Sequence, residues 1–197
     1  MGAAELIGGA LRLDPAAFDA LVALPTAARF GLAVLAVAGV SQALGQSVAL
    51  FANRVRPRRF VLASTVSAGV FVASVVVWAA ALDLAAMVLA DVRAPLDRVV
   101  ATVGLGHAPR LLAFLTLVPY FGTGIGAALT IWTFLATAVG ARAVFGLDLT
   151  GVLPVLGAAW LATEAIGRTI GRPVAAATRR LRSWSAGEGT GREDAAP

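Results

Sequence analysis

Chemistry in this chain would have to come from a few polar residues set in long apolar stretches. His107 is the only histidine, and there is no cysteine. Thiolate nucleophiles, disulfides and Cys-ligated metal centres are therefore excluded. His107 sits between Gly106 and Ala108-Pro109 with no second histidine nearby. It reads as a residue at the start of a helix, with a pH-sensing role as the alternative. The run GTGIG, residues 122–126, is followed by Ala127-Ala128-Leu129. A phosphate loop would require Gly-Lys-Ser/Thr there. Pro119, Gly122, Gly124 and Gly126 instead suit a turn and close helix packing, with Gly122 and Gly126 at small-x-x-x-small spacing.

Two polar pairs lie inside apolar runs. Gln42 and Gln46 are four apart and share a helix face. Glu164 precedes Arg168 by one turn, the favourable order for a helical ion pair. An intramembrane carboxylate is a functional hypothesis by default. Gln42, Gln46, Glu164 and Arg168 thus form the candidate polar intramembrane site. The plain alternative is interhelical hydrogen bonding for the glutamines, and mutual neutralisation for Glu164 and Arg168. No nucleophile–base–orienter set, carboxylate pair or metal-ligand cluster is present in the sequence. Neither a catalytic residue nor a cofactor is expected, and the chain reads as non-enzymatic.

The elements that must hold these residues follow from composition. Of 197 residues, 59% are hydrophobic and 14% charged, against about 25% charged in soluble domains. An all-α polytopic membrane protein is the expected class. All sixteen cations are arginines. In such a chain they mark membrane flanks, not a nucleic-acid surface. Residues 1–28 read as an N-terminal segment with a short amphipathic helix near 15–24, opened by Asp14-Pro15. That helix either lies at the interface or packs on the bundle. Five spans are expected in a domain over 29–171: about 30–51, 60–82, 110–121, 124–144 and 151–170. The second ends at Asp83 or continues to about Ala90. Residues 83–110 read as an interfacial amphipathic helix. Residues 172–197 form a basic tail with a disordered distal part.

Charge orients the chain. Five spans place the 53–59 loop and the tail on one side, with ten arginines against six on the other. The positive-inside rule makes that side cytoplasmic, with the N-terminus outside. Arg54, Arg56, Arg58, Arg59, Arg179, Arg180 and Arg182 then form a cytoplasmic basic surface suited to anionic lipid head groups. The expected partners are the bilayer and other membrane proteins or a second copy.

The order of motifs resembles the bacterial branch of the Yip (Ypt/Rab-interacting protein) family. LRLDPAAFDAL resembles that family's lead-in before the first span. Gly104, Ala108, Pro109, Pro119, Gly122, Trp132, Asp148, Thr150 and Gly151 stand at places matching its later motifs. The resemblance covers roughly residues 10–170. It implies five transmembrane helices and a bacterial cytoplasmic membrane, although the family's usual N-terminus is cytosolic. It carries over no Rab-type binding, for which this chain lacks the long N-terminal region. The function expected is that of a scaffold, membrane organiser or accessory subunit. The alternative is a small-solute or ion transporter or channel built on the polar intramembrane site.

Overall fold

Apolar runs punctuated by Pro, Gly and Asp become a bundle of helices. The computed structural model describes residues 1–45, 57–118 and 120–165, and the side chains of all of these except 57–64. Among the described residues there is no strand. Helix α1 spans Ala3–Leu11, α2 Pro15–Val22, α3 Ala27–Gly45, α4 Pro57–Ala90 and α5 Leu96–Gly106. A 3-10 segment covers Ala108–Leu117, and α6 covers Gly122–Phe145. Helix α7 runs over Leu149–Ala165. Met1–Ala159 make one compact unit, and Trp160–Pro197 a second.

Four stretches are long and apolar enough to cross a membrane: Ala27–Gly45, Thr65–Ala90, Leu96–Leu117 and Gly122–Phe145. Helix α4 takes the longer of its two expected courses and ends at Ala90. Asp91 there adopts φ +52°, and the Val92 N–H closes on the Ala86 carbonyl at 3.3 Å. That six-residue closure is a helix stop, and aspartate tolerates its left-handed geometry better than most residues.

The third of these stretches differs in its bounds from the sequence reading. Instead of an interfacial helix followed by a short span at 110–121, α5 and the 3-10 segment form one stretch. All eight residues from Val99 to Gly106 are buried. Small residues are what let the neighbours of α5 approach. A Cβ added to Gly104 would lie 2.5 Å from the Gly31 carbonyl oxygen on α3. One added to Gly106 would lie 2.6 Å from Thr137 Oγ1 on α6.

The contacts fix directions. Gly31 meets Ala101, Ser41 meets Leu111, and Gly45 meets Ala113 and Thr116. Partner numbers rise together, so α3 and residues 96–117 run parallel, side by side. Against α6 they run opposite: Thr102 meets Gly140, Gly106 meets Thr137, and Thr116 meets Gly126. The turn at 118–121 therefore lies at the same end as Gly45, away from the 91–95 loop.

The N-terminal region packs on the bundle. Asp14 caps α2, accepting the Ala16 N–H at 3.0 Å, with Pro15 at the first helical position as expected. Phe18 and Leu21 are fully buried with Leu6, Ala101, Leu105 and Ala136. Arg98 Nη1 donates to the carbonyls of Val22 and Leu24, tying the exit of α2 to α5. Helix α1 has no counterpart in the sequence reading. Its Leu11 carbonyl accepts Trp132 Nε1 of α6 at 3.0 Å.

Candidate functional site

A 3-10 stretch has a poorer hydrogen-bond ladder than an α-helix. In an apolar surround its loose backbone groups need partners. Ser41 of α3 supplies them. Its Oγ donates to the Leu111 carbonyl at 2.8 Å and accepts the Phe114 N–H at 3.0 Å. One buried serine thus stitches α3 to the segment that carries Arg110.

Arg110 is the only charged residue between Arg98 and Arg142. Its Nη1 donates to Gln42 Oε1 at 3.4 Å, and its Nη2 to Thr130 Oγ1 at 3.3 Å. Thr130 in turn donates to the Gly126 carbonyl at 2.8 Å. Both acceptors of Arg110 are neutral, and its Nε is buried without a partner. Beyond this cluster, towards the 118–121 turn, lies an open cavity of about 450 Å³ lined by Gly45, Thr116, Tyr120, Gly122 and Thr123 among others. Gly45 is one turn from Gln42 along α3, and Gly122 one turn from Gly126 along α6. Tyr120 is fully exposed and holds φ +68°.

The expected intramembrane set is only partly placed. Gln42 is engaged by Arg110. Gln46 and Arg168 lie outside the described residues. Glu164 is exposed on α7, in the second unit. Arg110 was read from sequence as a flank charge, yet it is the one strong donor facing Gln42. The signal available was Gln42 itself, an amide that an apolar span must satisfy.

Of the turn residues, Pro119 is outside the described set. A Cβ added to Gly122 would lie 2.4 Å from the Thr116 carbonyl oxygen, and one added to Gly126 would lie 3.9 Å from the Thr116 methyl. Gly124 faces open space. Arg54, Arg56, Arg179, Arg180 and Arg182 are outside the described residues, as are the side chains of Arg58 and Arg59 in α4. His107 ends α5, its Nδ1–H donating to the Val103 carbonyl at 2.8 Å. Its ring meets Phe71 and Trp78 edge-on at 5.9 and 6.4 Å. Among the described residues no group of three His, Cys, Asp or Glu could hold a metal ion.

Fold and site together define an all-helical protein with four helices fit to span a membrane and a polar cluster between three of its elements. No protein-family model matches the chain, and no curated protein or solved structure matches it either.

Proposed function

We propose that this is a non-enzymatic integral membrane protein of the five-crossing Yip type, acting as a scaffold, membrane organiser or accessory subunit. Four crossings rest on length and apolarity. The fifth is α7, whose 17 described residues rise about 25 Å at the usual 1.5 Å per residue. With α3 parallel to residues 96–117 and antiparallel to α6, four crossings separate the arginine-rich 53–59 loop from the tail. Charge then puts both in the cytoplasm of a bacterium.

The scaffold reading is carried by how the intramembrane polar groups are used. Ser41, Gln42 and Thr130 tie α3, the 3-10 segment and α6 together. Groups consumed in this way hold helices in register. Outward, α4 presents Val66, Val70, Val77, Leu84 and Val88, each more than half exposed, a face for lipid or a partner helix.

The test is a mild-detergent pull-down of the tagged chain from its native membrane. A stoichiometric complex supports the scaffold or subunit reading. Recovery as a single species, together with solute flux in vesicles that Glu164→Gln abolishes in folded protein, replaces it with the transporter reading.

A further inference from the structure

We propose that the flank formed by α1 and α2 faces an aqueous recess, in which water and lipid head groups reach the mid-level of the bundle. The proposal rests on the membrane-spanning reading and not on the scaffold role. Packing sets the depth. Helix α1 touches both α5 and the 3-10 segment, and its Leu6 and Ala10 are buried in one cluster with Leu105, Ala108 and Ala136. Leu105 and Ala108 stand at the centre of the Leu96–Leu117 stretch. The Leu11 carbonyl accepts the indole N–H of Trp132, near the middle of Gly122–Phe145. From there α2 climbs to the rim. Phe18 lies against Gly140, and the Val22 and Leu24 carbonyls reach Arg98 near the start of α5. The eight residues of α2 rise about 12 Å, close to half of a hydrocarbon core about 30 Å thick.

At that depth the two helices expose charge. Glu5, Arg12 and Asp14 are exposed, and Asp19 of α2 is exposed between them and the rim. No described residue forms an ion pair with any of the four; the pair formed between described side chains is Arg98–Asp97. Arginine does not shed its proton in a protein. The Arg12 guanidinium is turned back along Gly8 of its own helix, its Nε donating to the Gly8 carbonyl at 3.2 Å. Glu5 is held as locally, accepting the Gly2 N–H at 2.7 Å, and Asp14 caps α2. Ionised side chains and a non-helical turn at membrane depth persist where they line a water-filled space, not where acyl chains press on them. The opposite case stands at the same level. Trp78 of α4 meets the His107 ring, and its neighbour Val77 is exposed within a run that carries no charge from Phe60 to Leu82. One flank of the bundle is thus built for acyl chains, the other for water.

The chain has no cysteine, so single-cysteine variants read water access position by position. Full-length protein in phosphatidylcholine nanodiscs is treated with a charged, membrane-impermeant maleimide, and the modification rate is followed by intact mass. Ala4→Cys and Ala16→Cys report the deep part of the flank at exposed sites and leave all four charges in place. Ala23→Cys, also exposed, reports the rim, and Val77→Cys the apolar flank. The recess predicts rates at Ala4→Cys and Ala16→Cys close to that at Ala23→Cys. Val77→Cys should react on the order of a hundredfold more slowly, because the reacting thiolate is a charge at bilayer depth. Two deep variants keep the test decisive if one fails to fold. Rates at the folded deep variants as low as at Val77→Cys overturn the recess. A rate at Val77→Cys as high as at Ala23→Cys instead overturns the membrane-spanning reading on which the recess rests.

Discussion

Gly104→Ala tests whether the close approach of α3 and α5 sets the register of the whole site. The added methyl would lie 2.5 Å from the Gly31 carbonyl oxygen and 2.6 Å from its carbon. Both are backbone atoms, so no side chain can rotate away. To reach the 3.4 Å at which ordinary contact begins, the helices must part by about 0.9 Å. Overpacking of this kind costs about 1–3 kcal/mol, against a gain of up to about 1 kcal/mol in helix propensity. Gly69→Ala isolates that gain, because a Cβ at Gly69 on α4 meets nothing within 4 Å. The difference between the two variants should therefore be about 1–3 kcal/mol, or roughly 5- to 150-fold in the unfolding constant. Titration of the purified protein from mild micelles into SDS, followed by tryptophan fluorescence, reads it. The displacement also pulls Ser41 from Leu111, so Gly104→Ala and Ser41→Ala should be non-additive in a double-mutant cycle. Equal stability of Gly104→Ala and Gly69→Ala would refute the reasoning.

Ser41→Ala leaves the Leu111 carbonyl and Phe114 N–H without their partner; it should cost about 1 kcal/mol and speed hydrogen exchange at the Phe114 amide. Arg98→Gln frees the Val22 and Leu24 carbonyls, a loss of about 1.5–3 kcal/mol, and limited proteolysis should then cut first within residues 12–26. Asp148 accepts from Thr150 Oγ1 and the Gly151 N–H, each at 2.8 Å, and chiefly the Thr150 bond holds its pKa below the ordinary 3.8. Its contribution is thus present above pH 3.8 and lost as pH falls through the lower folded value; a carboxyl-carbon NMR titration with a midpoint at or above 3.8 would contradict this, and Asp148→Asn should flatten the dependence.

The helical class was legible because it depends on local chemistry. Asp14-Pro15 starts α2 where a cap followed by proline should. The stretch Leu96–Leu117 was harder to read, for a physical reason. Asp97, Arg98, His107 and Arg110 dilute its hydropathy, while Ala101, Gly104 and Gly106 add little apolar bulk. Those small residues bring two helices close enough to bury Val99–Gly106 on all sides. Burial there comes from the neighbours, and the periodicity of one helix read alone does not contain it.

The same limit applies to the site. Gln42 stood out because an amide in an apolar span needs a partner, and interhelical hydrogen bonding was one of the two readings open to it, but the sequence did not name the partner. Its partner is fixed by register. Gly31 against Ala101 places Ser41 beside Leu111, and therefore Gln42 beside Arg110. The antiparallel pairing with α6 then brings Thr130 to the other side of the guanidinium. Three residues far apart in sequence meet because glycines set two helix crossings. An arginine that looks like a flank charge in the sequence is brought, through those crossings, between α3 and α6. Among the described residues its two acceptors, Gln42 Oε1 and Thr130 Oγ1, are neutral.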